Sequence, residues 1–270
     1  TLKFIMQKIQ NYINGQLVPP VSGNYIDNYN PSTGQVYSLI PDSDEQDVEL
    51  AVAAAAAAFR KWSAMSSHER SDKLIRLSQL VEQHLERFAV AESVDNGKPV
   101  WLAREVDIPR AVSNFHFYAT AALHLSTETH AMGETALNYT LRTPIGIAGC
   151  ISPWNLPLYL FTWKIAPALA SGNCVVAKPS EITPMTAYLL SELAIEAGIP
   201  AGVLNIVHGY GTKVGKAIVS HPKIQAISFT GGTKTGEEIS RIAAPMFKKL
   251  SLELGGKNPN IIFADCDFDK

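Results

Sequence analysis

Glu253 stands between Leu252 and Leu254 and is followed by Gly255, Gly256 and Lys257. A carboxylate between leucines is a general-base candidate, because an apolar setting disfavours its charged form and raises its pKa. A base needs a nucleophile to serve, and the cysteines are the first place to look. Cys150 and Cys174 lie in apolar runs and read as buried thiols, while Cys266 lies between Asp265 and Asp267, two anions that disfavour a thiolate. None of the three is a good nucleophile for Glu253.

Other polar groups follow short apolar runs in the same way. Ser152-Pro153-Trp154-Asn155 places an amide where it could donate to a developing oxyanion, although an Asn there also serves as a turn residue. Lys178-Pro179-Ser180-Glu181 places a cation and an anion three apart, which could grip ribose hydroxyls or form a loop ion pair. A carboxylate at such a place repels a 2′-phosphate and favours NAD over NADP. Gly209-Tyr210-Gly211, with Gly215 four residues on, is one residue too long for the dinucleotide fingerprint. Phe229-Thr230-Gly231-Gly232-Thr233 enters a helix, where glycine lets backbone N–H groups and the helix dipole meet a phosphate, or simply caps the helix.

The elements that must position these groups are legible as a pattern. Strands are expected at 145–151, 174–178, 203–207, 226–230 and 249–253, with helices at 161–170, 184–197, 212–220 and 233–243. Apolar strands alternating with helices indicate an α/β fold with a doubly wound parallel sheet, whose ligands bind beyond the carboxyl ends of the strands. All five groups above fall there. The first 140 residues read mainly as helix after a short extended start. Ser43 with Gln46, and Ser66 with Glu69, have capping-box spacing ahead of an alanine-rich helix (48–62) and a second helix (73–94). A third helix is expected at 100–125, and residues 126–144 read as a β-hairpin arm.

Composition narrows the function. A formal charge of −2 on 270 residues gives no electrostatic attraction to nucleic acid or anionic membrane. The longest apolar run, near 156–170, is interrupted by Pro157, Lys164 and Pro167, so no membrane span is expected. No secretory leader pattern opens the sequence, and three scattered cysteines suit a reduced setting, so a cytoplasmic location is expected. No cluster of residues has metal-ligand spacing.

Pro153-Trp154-Asn155, Lys178-Pro179-Ser180-Glu181 with Thr183-Pro184, Phe229-Thr230-Gly231 and Glu253-Leu254-Gly255-Gly256-Lys257 together resemble the aldehyde dehydrogenase superfamily. Tyr29-Asn30-Pro31-Ser32-Thr33-Gly34 extends the resemblance almost to the start, and Leu156–Leu160 with Lys164–Pro167 is most similar to the muconic semialdehyde dehydrogenase branch. The resemblance implies a Rossmann-like NAD-binding domain over residues 1–256, an oligomerisation hairpin at 126–144 and the start of a catalytic domain at 257–270. It implies Asn155 as an oxyanion donor and Glu253 as activator of the water that hydrolyses a cysteine thioester. Lys178 and Glu181 would hold the adenosine ribose, Gly231 and its neighbours the pyrophosphate, and Trp154 the nicotinamide end. Ser152, Pro153, Ser180, Gly211, Gly215, Phe229, Thr230, Gly232 and Leu254 complete the cofactor-binding set. Gly232 departs from the family, which commonly has Ser there, so one hydroxyl contact to phosphate is missing.

The family's nucleophilic cysteine lies a few dozen residues beyond the Glu-Leu-Gly-Gly motif. The expectation is therefore the cofactor-binding part of an NAD-dependent aldehyde dehydrogenase that, as this 270-residue chain, oxidises no aldehyde. The full-length enzyme would take a small-molecule aldehyde and form a homo-oligomer. The other reading is a natural non-catalytic nucleotide-binding or structural relic of the same family.

Overall fold

The computed structural model describes residues 6–256, 259 and 261–267. In chain order the described elements begin with strands β1 (Gln7–Lys8), β2 (Asn11–Ile13), β3 (Gln16–Val18), β4 (Tyr25–Asn30) and β5 (Gln35–Pro41). Helices α1 (Glu45–Ala64), α2 (Ser67–Gln83), α3 (Leu85–Asn96), α4 (Val100–Leu102) and α5 (Ile108–Ala121) follow, then a hairpin of β6 (Thr129–Met132) and β7 (Ala136–Tyr139). The remainder alternates: β8 (Ile147–Ile151), α6 (Pro157–Ala170), β9 (Cys174–Lys178), α7 (Met185–Glu196), β10 (Leu204–Ile206), α8 (Lys216–Ser220), β11 (Ile224–Thr230), α9 (Thr233–Ala243) and β12 (Lys249–Glu253).

The main sheet has the order β12-β11-β8-β9-β10-β2-β3. Its five strands from β8 to β12 are mutually parallel where they pair, as the apolar runs imply. Along that parallel set, chain order runs outward from β8 in one direction and resumes at β11 in the other. The β8/β11 boundary is thus a topological switch point, where crossovers lie on opposite faces and leave a crevice at the strand ends. α6 and α7 pack on one face, backed by α2, α3 and α5, while α8 and α9 cover the other with α1. Trp62 of α1 is buried and donates from Nε1 to the Leu169 carbonyl of α6 at 3.2 Å, tying the two layers together.

The helical half departs from its expected boundaries for identifiable reasons. The box that caps α1 uses Asp44 and Asp47 rather than Ser43 and Gln46. Asp44 accepts from the Gln46 amide at 2.8 Å and Asp47 from the Asp44 amide at 3.2 Å. Ser43 is buried and accepts from the Asn11 side chain instead. The Ser66–Glu69 box caps α2 as expected. The helix expected at 73–94 divides at His84, which takes φ −101°, ψ 18° between α2 and α3. The helix expected at 100–125 contains a π-turn at Ala103–Asp107, ending two residues before Pro109. Proline lacks the N–H for the i−4 bond and crowds that carbonyl, which widens the preceding turn. The helix expected at 212–220 likewise opens with a π-turn, Gly211–Gly215.

At the carboxyl end, the expected start of a catalytic domain at 257–270 falls partly on residues outside those described, and the described residues 261–263 form no strand.

The N-terminal strands were the least legible part of the chain. β2 and β3 extend the parallel sheet as an antiparallel edge, β2 pairing with β10. Asn11 on β2 fixes that addition: its Oδ1 accepts from the His208 amide at 2.8 Å, and its Nδ2 donates to Ser43 at 2.8 Å and Asp47 at 3.3 Å. Asn11 is fully buried, so each bond lost strands a desolvated partner. Asn11→Ala is expected to destabilise the fold by about 2–3 kcal/mol in urea unfolding; a change near zero would contradict this.

His208 is fully buried, and neither ring nitrogen has a partner among the described residues. Burial first, and then the nearby Lys178 charge, lowers its pKa from 6.5 to about 3. The folded state therefore keeps the ring neutral where the unfolded chain takes a proton. Its contribution is complete above pH 6.5 and is lost as pH falls toward 3. The melting temperature of His208→Leu should consequently fall less than that of the parent between about pH 7 and pH 4. Parallel falls would refute this.

Candidate functional site

Strand register brings the chemistry together. Ile151, at the end of β8, pairs with Lys178 on one side and Phe229 on the other, and Thr230 pairs with Glu253. The ends of four neighbouring strands therefore share one edge, and the loops leaving it carry the residues singled out by sequence.

Two adjoining cavities open at this edge. The first, of about 620 Å³, lies at the β8/β11 switch point and is lined by Ser152, Pro153, Trp154, Lys178, Ser180 and Glu181 from the first two loops. Gly211 and Gly215, with Phe229, Thr230, Gly231 and Gly232, complete the expected set there. That volume is within the range of small-molecule sites. The second, of about 780 Å³, is lined by Asn155, Glu253 and Leu254. Pro153, Trp154, Thr230, Gly231 and Gly232 face both cavities and form their common wall. Every site residue expected from sequence lines one or the other, with Leu254 in the second cavity.

The Lys178–Glu181 pair is mostly enclosed. Lys178 Nζ lies 2.7 Å from Glu181 Oε2 and donates to the Pro179 carbonyl at 3.0 Å. Burial pushes the Lys178 pKa down, opposed by the charge and hydrogen bond of Glu181. For Glu181, burial acts to raise the pKa, but Lys178 outweighs it and the carboxyl lies below its ordinary value. The two side chains are held against each other at 2.7 Å, each partner opposing the effect of burial on the other. Glu181 Oε1 also accepts from the Gly211 amide at 3.4 Å, which links the β9 and β10 loops across the cavity. Ser152 lines the cavity, and its Oγ is buried with no partner among the described residues.

Helix α9 begins at the cavity. Its N-cap is Gly232, at φ −69°, ψ 145°, with no side-chain cap bond, so its first amides are open to an anion at the positive end of the helix. Thr235, Glu238, Ile239 and Ile242 follow at helical spacing and line the cavity wall. Sequence reasoning missed them, although the i, i+3, i+4, i+7 spacing after the glycine turn was the available signal. A Cβ on Gly231 would lie 2.4 Å from the Phe229 ring, and one on Gly236 2.5 Å from Leu254. Gly232 has nothing within 4 Å, so the space a serine would use is open. In the β10 loop the demand for glycine falls on Gly209, at φ +136° against Ser43 and Val214, rather than on Gly211 or Gly215.

Glu253 differs from its expected setting. Leu252 and Leu254 are only partly buried and Glu253 is exposed, because β12 is the edge strand and successive strand residues point to opposite faces. The flanking leucines do not enclose the carboxylate. Its backbone is held by the Gly231 amide, which donates to the Glu253 carbonyl at 3.0 Å and extends the β11–β12 ladder.

Tyr159, Leu160 and Trp163 of α6 form the opposite wall of the second cavity, with Tyr159 and Trp163 edge-to-face at 5.9 Å. The Arg110 guanidinium lies over the Tyr159 ring and donates to its hydroxyl at 3.1 Å. Beneath the common wall, Lys164 donates to Thr230 Oγ1 at 2.6 Å. Cys150 and Cys174 are buried, and burial pushes both thiols up to about 12. Cysteine lines neither cavity. Among the described residues no group of His, Cys, Asp and Glu is placed to hold a metal ion, and no helix is long and apolar enough to cross a membrane.

Comparison with known proteins agrees with this architecture. The aldehyde dehydrogenase family model matches residues 18–270. The human 2-aminomuconic semialdehyde dehydrogenase is 54% identical over 263 residues, which are 97% of this chain and 54% of the relative. The 2-hydroxymuconic semialdehyde dehydrogenase of Pseudomonas sp. (strain CF600) is 46% identical, covering 98% and 56%. An NAD+ complex of aldehyde dehydrogenase from Bacillus cereus superposes with a TM-score of 0.93 at 41% identity, covering 98% of this chain and 55% of that one. The chain thus spans about half the length of the relatives it matches. On the extent of these matches, the chain belongs to the aldehyde dehydrogenase family.

Proposed function

We propose that this chain supplies the NAD-holding surface, the oxyanion donor and the water-activating carboxylate of an NAD-dependent aldehyde dehydrogenase. The observation that carries the reading is the pair of cavities with a common wall. A ribose-sized ion pair and an open helix N-terminus lie on one side of it, and Asn155 with Glu253 on the other. NAD fits the first cavity by chemistry. The α9 amides receive the pyrophosphate, Lys178 and Glu181 the ribose hydroxyls, and Trp154 borders the passage to the second cavity. When bound, NAD supplies the hydride acceptor.

The chain's own residues divide the remaining work. The Asn155 side-chain amide donates to the aldehyde oxygen as it gains charge, without titrating. Glu253, on the other wall, takes a proton from the water that cleaves the thioester. The thiol that forms that thioester is not among the groups lining either cavity, and Cys150 and Cys174 are buried as neutral thiols. We assign residues 1–256 to the NAD-binding domain and 257–270 to the start of a catalytic domain. The exposed Met132, Leu137 and Tyr139 of the β6–β7 arm are assigned to pairing in a homo-oligomer. The substrate is an aldehyde of the muconic semialdehyde kind, as the relatives' names suggest.

Isothermal titration of the purified chain should give NAD binding at least about tenfold tighter than NADP binding, because Glu181 repels a 2′-phosphate. Glu181→Gln should narrow that ratio several-fold, and equal or tighter NADP binding by the parent would overturn the ribose assignment. With an aldehyde and NAD, the 270-residue chain alone should produce no NADH absorbance at 340 nm above the protein-free rate. Sustained turnover would contradict the absence of a working nucleophile.

A further inference from the structure

The Trp154–Asn155 turn carries both the cavity wall and the oxyanion donor, yet its own residues do little to hold it. Trp154 and Asn155 are exposed, and helix α6 starts after Leu156 with no side-chain cap of its own. The holding groups come from the end of α3, some sixty residues earlier in the chain. Asn96 Nδ2 donates to the Trp154 carbonyl at 2.8 Å, and Lys98 Nζ reaches the Asn155 carbonyl at 3.4 Å. Glu92 Oε2 accepts the Leu158 amide at 3.4 Å, supplying the acceptor that the first turn of α6 lacks. Thr183 Oγ1 adds a longer contact of 3.5 Å to the Trp154 carbonyl.

Lys98 is itself fixed. Its ammonium lies 2.5 Å from Asp107 and 3.7 Å from Glu92, and all three side chains are at most 8% exposed. Burial, as the leading cause, raises the Glu92 pKa to about 7; Asp107, the nearer carboxylate, is the principal counter-ion. Asp107 is the last residue of the π-turn that precedes Pro109. π-Turns inside helices recur at functional sites, and this one presents a carboxylate to a lysine that reaches the catalytic turn. Gly97, at φ +82° as the C-cap of α3, ends the helix so that Asn96 and Lys98 can both turn toward residues 154–155.

We propose that Asn96 and Lys98, with Lys98 anchored by Asp107, are the positioning residues of the Trp154–Asn155 turn, holding its two peptide carbonyls so that the Asn155 side-chain amide faces the second cavity. The assignment of a catalytic purpose to this clamp rests on the reading of Asn155 given above. The clamp itself rests only on the contacts. The Trp154 carbonyl belongs to the peptide before the Asn155 Cα and the Asn155 carbonyl to the peptide after it, so gripping both fixes the two planes that flank that Cα, and with them the direction in which the Asn155 side chain leaves the backbone.

The test uses Asn96→Asp, which keeps shape and polarity but replaces the donating amide with an acceptor facing a carbonyl. Amide hydrogen exchange is followed at Trp154, Asn155, Leu156 and Leu158 in the 270-residue chain, with thermal unfolding as a control. The expected result is exchange faster by about fivefold or more at these amides, with protection in α1 and β9 unchanged. Asp107→Asn, which weakens the hold on Lys98, should move the same amides in the same direction. Unchanged exchange at these four amides in a folded Asn96→Asp chain would overturn the clamp. If Asn96→Asp unfolds, Asn96→Ser retains a shorter donor, and exchange equal to the parent in both Asn96→Ser and Asp107→Asn overturns it. NAD titration of the parent separates the two ideas: absence of binding counts against the functional reading, while the exchange result still decides the clamp.

Discussion

Ile151 is held between Lys178 and Phe229 by the ladders of β8, and Thr230 is held against Glu253 by the ladder of β11 and β12. This register is the constraint on which the site depends. A slip of one residue in any of these strands would turn its end residue to the opposite face and move its loop along the edge. The parallel arrangement is slower to form than a hairpin and needs cover on both faces, which the apolar runs of β8 and β9 and the helices around them provide. The first cavity lies at the switch point, where the crossovers leave a crevice between β8 and β11.

Polar groups near this edge are treated in two ways. Where a charge is enclosed it is paired: Lys178 with Glu181 beside the cavity, Lys98 with Asp107 behind the second loop. Such pairs contribute little net stability, since desolvation offsets most of the attraction, but removing one partner is costly. They therefore serve to fix geometry. Where a group borders the first cavity without a charge to neutralise it is left open: the first amides of α9 lack a side-chain cap, and Trp154 is half exposed. Glu253 lies on an edge strand with only one neighbour in the sheet.

Much of the parallel half was legible in the sequence because its signals are local. Apolar runs of five residues, helix-length gaps and glycine turns place β8, β9, β11, β12 and α9 within a few residues of their observed bounds. The cavity set was legible for the same reason, since carboxyl strand ends are a property of position along the chain. What was not legible depends on partners distant in sequence. β2 reads only as part of a short extended start, and its place in the main sheet emerges once Asn11 is seen bonded to His208 and Ser43. Ser43 cannot cap α1 because Asn11 has taken it. Glu253 looked enclosed because Leu252 and Leu254 are adjacent in sequence, whereas a strand sends neighbours to opposite faces. The grip of Asn96 and Lys98 on residues 154–155 spans fifty-eight and fifty-seven positions, a separation that no periodicity reports.

The most direct test of the central claim is a map of where NAD meets the chain, read as backbone amide shift changes on titrating isotopically labelled protein. The account predicts the largest changes around residues 151–154, 178–181, 211–216 and 230–235, with the β6–β7 hairpin and Asn11 unaffected. Shifts concentrated elsewhere, or none at these four loops at saturating NAD, would contradict it.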